Sequence, residues 1–517
     1  MLLQDYLAFY SRDKPEQPCV TSAGVVKTYA EMEALSNRLG NALLDLGIRK
    51  GDRIAVIGEN SIEHLLMFIA AAKTGAVFVS FNYRLAAAEL EYVVRDSDAK
   101  ILVVLKGMEG TLDAVRELLP KEVRLMSNGI AGLKDLNELS RNYPSSTPVC
   151  QVDQHDPLLQ LYTSGTTGYP KGVVTSTFNL ISLCHMRVAA SAHRENAGDC
   201  GIVCAPLFHI GGMASVSIAM YVGQHTLLHE SFDPERIVDD IETNSVINVF
   251  MVPAMISAVL QIPGIRDRDF SKLKQISYGA APISETLLCE ANDVFQCDFA
   301  QIYGMTETTG TVVALSVEDH KRALAGKPEL LLSCGRPYPG ALAKVMSADG
   351  SELPKGTVGE IWLKAPSNMQ GYHNLPQATS ESLTDGWVHT GDAGYMDDEG
   401  YLYLKDRIKD MVVSGAENIY PVEVENAIAK HESVRDVAVI GVPNEKFGEA
   451  LLAFIVLKPD TSLTVDELII FCRDKIAGYK IPRQMELLEE LPRNPSGKVL
   501  KKILRAPYWE GRDRAIS

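Results

Sequence analysis

Between Tyr29 and Leu105 the chain switches between two hydrophobic rhythms. Apolar residues recur every three or four positions over 29–46, 62–73 and 86–96, the spacing of helices with a buried stripe. Between them, short apolar runs rich in β-branched residues at 53–57, 76–80 and 101–105 predict strands. Strands alternating with helices at this spacing imply βαβ units and a largely parallel sheet covered on both faces. A second series follows, with strands expected at 201–206, 246–252 (stopped by Pro253), 275–278 and 299–303, and an apolar helix after Ile210-Gly211-Gly212. Two of these strands run into small residues, at Gly279-Ala280-Ala281-Pro282 and at Gly304-Met305-Thr306-Glu307. Such strand ends are where open α/β sheets bind ligands.

After a turn at Asp349-Gly350 the rhythm shortens to a β pattern over 358–364, continuing through Thr390-Gly391-Asp392 to 401–404. Residues 406–410 form a charged break. Beyond it Pro421 suits the first turn of a helix, strands are expected at 434–440 and 451–457, and Thr464-Val465-Asp466-Glu467 reads as a capping box. The expected fold is therefore α/β: a large N-terminal domain, 1–406, of βα units around mostly parallel sheets, ending in short β structure, followed by a small α+β domain, 407–517. A length of 517 residues requires more than one core.

Composition narrows the function. The net charge of -16 with no long basic cluster argues against a nucleic-acid partner, so any polyphosphate must be met by locally placed cations. Nine scattered cysteines without zinc spacing read as reduced thiols. No segment is long and apolar enough to span a membrane, the N-terminus lacks a secretory pattern, and Ala515-Ile516-Ser517 is not a peroxisomal address, so cytoplasm is the expected location.

The most distinctive stretch is 161–172, LYTSGTTGYPKG. Thr163, Ser164, Thr166 and Thr167 offer hydroxyls, Gly165 and Gly168 allow close backbone approach, and Lys171 brings a mobile charge, a set suited to a polyanion. Walker spacing is absent, and β-like runs rather than a helix flank the loop. A polar surface loop is the plain alternative.

Together with Gly279–Pro282, Tyr303–Glu307, Thr390–Asp392, Asp406-Arg407 through Gly415-Ala416-Glu417-Asn418, and Pro492–Lys498, this stretch resembles, in order and over essentially the whole chain, the adenylate-forming superfamily of acyl- and aryl-CoA ligases, luciferases and adenylation domains. The resemblance implies ATP, Mg²⁺ and coenzyme A as co-substrates and ion, a small barrel-like β part in the large domain, and a mobile C-terminal domain. It assigns Thr163 to Lys171 to the phosphates, and Glu307, with Thr306 and Thr163, to the Mg²⁺ and α-phosphate region. Tyr303 would stack on adenine, with Gly279, Ala280, Ala281, Pro282, Gly304 and Met305 around it, and Asp392 would accept the ribose hydroxyls beside Arg407. Lys498 is the implied catalytic lysine, alongside Lys171, Glu307 and Thr306, and Lys409 the hinge. Gly415, Ala416, Glu417 and Phe447 fall on the implied CoA side, where Ala416 departs from a more frequent glycine and Phe447 has simple packing as its alternative.

For the acid, the resemblance points to Phe208, His209, Ile210, Gly211, Val252 and Ala254, with Gly279 and Gly304. No arginine or lysine falls at these positions, which disfavours a dicarboxylic acid such as malonate and favours a monocarboxylate with a hydrophobic tail. His209 is read as a gate to this pocket or as a hydrogen-bonded core residue. The implied activity is an acid–CoA ligase for medium- or long-chain fatty acids. Aryl or cinnamate-type acids, a separate carrier protein as acceptor, and a non-catalytic nucleotide sensor stay open, as does a homodimer.

Overall fold

The structure, a computed structural model, describes residues 1–163, 170–193, 195–280, 283–407, 410–414, 417–444, 447–493 and 499–510, without the side chains of 406, 407, 413, 417 and 418. It forms two compact units. The first comprises Met1–Leu331, Gly335–Leu342 and Leu363–Val388; the second comprises Leu332–Cys334, Ala343–Trp362 and His389–Ser517. The second unit therefore begins before the charged break at 406–410.

Two sheets organise the first unit, one of nine strands and one of eight. In the larger, His225–Leu228, Cys200–Val203, Val246–Met251, Gln275–Gly279 and Asp298–Met305 lie side by side and parallel. In the smaller, Pro157–Thr163, Val77–Phe81, Arg53–Ile57, Ala99–Leu105 and Arg124–Asn128 do the same. The predicted helices appear at Tyr29–Asp45, Ile62–Thr74 and Ala87–Asp96. Thr28 starts the first of these: its hydroxyl accepts from Glu31 N–H at 3.2 Å, and the Glu31 carboxylate accepts from Thr28 N–H at 2.9 Å.

One core joins both sheets through the helices between them, with Val56 and Phe78 from one sheet, Val203 and Leu228 from the other, and Phe68, Leu180 and Val216 from helices. Ile276 and Tyr278 face a second core with Ile237 and Leu288; Ile57 and Val104 face a third with Leu90 and Leu112. Both parallel sheets are thus covered on both faces, as their near-continuous apolar strands require.

In the second unit, Leu402–Arg407 pairs antiparallel with Trp387–Met396 in the five-stranded sheet that matches the expected barrel-like part. Further on, Val434–Asn444 and Gly448–Leu457 pair antiparallel. One face of that pair packs on helices Pro421–Ile428 and Val465–Cys472, the other on Lys501–Trp509. All nine cysteines are unpaired. Among the described residues no helix is long and apolar enough to cross a membrane.

Candidate active site

Strands Pro157–Thr163 and Lys171–Ser176 pair antiparallel, with Thr163 opposite Lys171. Ser164, Gly165, Thr166, Thr167 and Gly168 lie outside the described residues, and their flanks are held as a facing pair. The edge strand Gly371–Tyr372 adds to Lys171–Ser176, and His373 N–H donates to the Gly172 carbonyl at 2.8 Å. This places Tyr372 at the base of the loop: Lys171 Nζ stands 5.0 Å from the centre of its ring, and its hydroxyl donates to Glu307 Oε1 at 2.9 Å. Glu307 is only 7% exposed and sits in the single turn Thr306–Thr308. That turn is pinned by Thr308 Oγ1, which accepts from Met305 N–H at 3.0 Å, and by Met369 N–H, which donates to the Glu307 carbonyl at 2.8 Å.

Gly279 pairs with Ile302, so Ala280 and Tyr303 stand at neighbouring strand ends. A Cβ at Gly279 would collide with the Ile302 carbonyl, and one at Gly304 with the Gly310 carbonyl, so both glycines are required by close backbone approach. Ala280 adopts φ +64°, a left-handed conformation that costs a non-glycine residue roughly 1 to 2 kcal/mol and is typical of functional sites. Ala281 and Pro282 lie outside the described residues. Glu307 and Thr163 supply carboxylate and hydroxyl oxygens, the donors Mg²⁺ takes together with phosphate oxygens and water. The described residues hold no group of three or more His, Cys, Asp or Glu side chains placed to hold a metal ion.

The acyl side is built differently. His209 caps helix Ile210–Val222, with its ring 4.6 Å from that of Phe208. Its Nε2 is enclosed with no partner among the described residues, and burial, helped by the Arg84 charge, draws its pKa down to about 4, so it is neutral near pH 7. Helix Ile210–Val222 is mostly apolar yet half-exposed along Gly211, Ala214, Ser215 and Ile218. Asn248 and Phe250, in the middle of the nine-stranded sheet, are also half-exposed. Phe250 Cε1 lies 3.4 Å from where a Gly211 Cβ would stand. A mostly apolar helix is ordinarily buried, so its partly exposed stripe, facing the partly exposed Asn248 and Phe250, is consistent with a cleft between this helix and the sheet. The strand carrying Phe250 leads into Val252, buried as the cap of helix Pro253–Leu260, and into the exposed Ala254.

In the second unit Asp392 and Arg407 form a facing pair across two antiparallel strands. Asp392 is 8% exposed; its N–H donates to Thr390 Oγ1 at 3.0 Å, which in turn donates to the Ile361 carbonyl at 2.7 Å. Lys409, Gly415, Ala416 and Lys498 lie outside the described residues. Around them, Glu417 pairs with Ser414, and Arg493 pairs with Val499. Phe447 is 47% exposed, with its N–H donating to Asn444 Oδ1 at 3.0 Å, an exposure that speaks against core packing as its role.

Sequence reasoning missed Tyr372. Its strand of two residues has no periodicity, and the glycine-aromatic doublet Gly371-Tyr372 was the only local signal.

Residues 9–373 match the family model of the AMP-binding enzyme, and residues 423–498 that of the AMP-binding enzyme C-terminal domain. The chain belongs to this family and is an AMP-forming acid–thiol ligase, an ATP-dependent enzyme that activates a carboxylic acid. It is 35% identical over 512 residues, 99% of this chain and 97% of the relative, to fatty acid–[acyl-carrier-protein] ligase ScoC of Streptomyces coeruleorubidus. It is also 35% identical over 487 residues, 94% of each chain, to long-chain-fatty-acid–CoA ligase FadD13 of Mycobacterium tuberculosis. Among solved structures it is similar to o-succinylbenzoate CoA synthetase (MenE) of Bacillus subtilis in complex with the acyl-adenylate intermediate OSB-AMP. That match has a TM-score of 0.85 and 29% identity and covers 96% of this chain and 97% of the other.

Proposed function

We propose that the protein joins a carboxylic acid with a hydrophobic body to coenzyme A in two steps. A carboxylate oxygen attacks the α-phosphorus of ATP and pyrophosphate leaves; the thiol sulfur then attacks the acyl carbonyl and AMP leaves. The observation that supports this most is the meeting of Lys171 and Glu307 about Tyr372 at the base of the hydroxyl-rich loop.

The first step brings two anions together. At about 4 Å their repulsion is roughly 1 kcal/mol in water and about 4 kcal/mol at the effective dielectric of a protein site, so cations must be supplied there. In this reading Lys171 and the 163–168 stretch hold the β- and γ-phosphates, and Lys498 bridges carboxylate and nucleotide. Tyr372 fixes the Glu307 carboxylate, which with Thr306 faces the α-phosphate. A bound Mg²⁺ would neutralise phosphate charge there. Tyr303, Gly304, Met305 and the 279–282 segment hold adenine, and Asp392, with Arg407 beside it, accepts hydrogen bonds from two ribose hydroxyls, as a carboxylate can. Residues 407–517 act as the lid, turning about Lys409 so that Gly415, Ala416, Glu417 and Phe447 meet coenzyme A in the second step.

The acid is read first as a medium- or long-chain fatty acid, on the apolar cleft along Gly211, Ala214 and Ile218 and the similarity to FadD13. A carrier-protein phosphopantetheine as acceptor is the second reading, favoured by the similarity to ScoC over 99% of this chain. The test is a panel of aliphatic and aryl acids, scored for pyrophosphate release and for thioester with coenzyme A or a phosphopantetheinylated carrier protein. Acid-dependent pyrophosphate release followed by acyl-CoA is expected. Thioester on the carrier alone would establish the second reading, and no release with any acid would refute both.

A further inference from the structure

The cleft over the nine-stranded sheet has a charged inner wall. Arg187 lies in the last turn of helix Thr177–Ala189 and is half-buried. Four residues earlier on the same helix face, Leu183 packs towards Gly310 together with Ile210 and Ala214 of the cleft helix. From there the Arg187 guanidinium reaches the sheet and donates to Ser277 Oγ at 3.3 Å. Ser277 shares its strand face with Gly279, two residues further along and so roughly 7 Å away. It is also paired with Phe250, the residue that meets Gly211.

Among the described residues Arg187 has no carboxylate partner. Its one hydrogen-bond acceptor is a neutral hydroxyl that already accepts from Gln275 Nε2 at 2.9 Å. Among the described residues, Glu195 accepts from Asn248 Nδ2 at 3.1 Å, and Asp298 pairs with His193 at 2.7 Å and Lys321 at 3.0 Å. Helix dipoles favour an arginine in the last turn, but that needs neither burial nor reach to a sheet. A half-buried guanidinium with one neutral acceptor keeps further N–H donors free for a ligand oxygen.

We propose, resting on the acid-activating reading above, that Arg187 is a specificity-determining residue that binds an oxygen acceptor at the far end of the acid substrate. The substrate is then an acid with a hydrophobic body and a distal hydroxyl, carbonyl or second carboxylate. This departs from the expectation drawn from the pocket positions alone, which disfavoured dicarboxylic acids.

Pyrophosphate release by the full-length enzyme should be compared for 3-phenylpropanoate, 3-(4-hydroxyphenyl)propanoate and 3-(4-carboxyphenyl)propanoate, and for octanoate against 8-hydroxyoctanoate and octanedioate. In at least one series the acid bearing the acceptor should exceed its plain partner in kcat/KM by about tenfold or more, the scale of a hydrogen bond to a charged group. Arg187→Met should bring that ratio close to one and Arg187→Lys should restore part of it. The hydroxy and carboxy arms separate a neutral acceptor from an anion. Plain acids preferred in both series by the wild-type enzyme would overturn the proposal even if Arg187→Met failed to fold, as would a ratio unmoved by that substitution. Activity on plain acids in those cases would leave the acid-activating reading standing, whereas no release with any acid would remove both.

Discussion

Two stretches of the same sheet solve different problems. At the ends of Gln275–Gly279 and Asp298–Met305, backbones touch so closely that Gly279 and Gly304 admit no side chain, and Glu307 is held by Tyr372 within a pinned turn. A few residues deeper, Phe250 and Ser277 look into a mostly apolar cleft in which His209 Nε2 has no partner among the described residues and the Arg187 guanidinium has one neutral acceptor. The first end is defined by short hydrogen bonds and fixed charge, the second by volume. Substitutions at the first should therefore cost rate, and at the second should move selectivity.

The largest effect is expected for Lys498→Ala, which should slow acyl-adenylate formation by about 10² to 10³ while sparing thioester formation from supplied acyl-AMP. Quenched-flow assay of each half-reaction checks this, and equal losses in both would break the division of labour. Next, Gly211→Leu fills the cleft where only 3.4 Å separates a Cβ from Phe250. At about 0.8 kcal/mol per buried methylene, acids four carbons longer should lose up to about 100-fold relative to short ones. An unchanged chain-length profile would put the pocket elsewhere. Tyr372→Phe removes one hydrogen bond to a carboxylate and should lower kcat/KM for ATP about tenfold, leaving the KM for the acid in place. A shift confined to the acid's KM would move Tyr372 to the other end.

The smallest effect concerns pH. Burial lowers the His209 pKa from 6.5 to about 4. Between those values the unfolded chain binds a proton that the folded chain refuses, so stability is full above pH 6.5 and declines as pH falls towards 4. The slope of Tm against pH in that window should be shallower in His209→Asn; an unchanged slope would show that His209 titrates normally.

Much of the fold was legible because periodicity is local: the helices at 29–45 and 62–74 and the strands between them follow from spacing and capping residues. The candidate site was legible where chemistry sits in one string, as around Glu307; most of the 163–171 string lies outside the described residues. Contacts between distant segments were not legible. Tyr372 reaches Glu307 from a two-residue edge strand, and Arg187 reaches Ser277 from a helix absent from the expected pocket walls. The partial exposure of that helix was invisible, because an apolar helix has the same sequence pattern whether or not one face is fully packed.

The central claim is that the first unit and the lid activate the acid before any thiol takes part. Acid-dependent exchange of labelled pyrophosphate into ATP, measured without coenzyme A or carrier protein, tests it most directly. Exchange at full rate without thiol is predicted; exchange that appears only when a thiol is added would contradict the account.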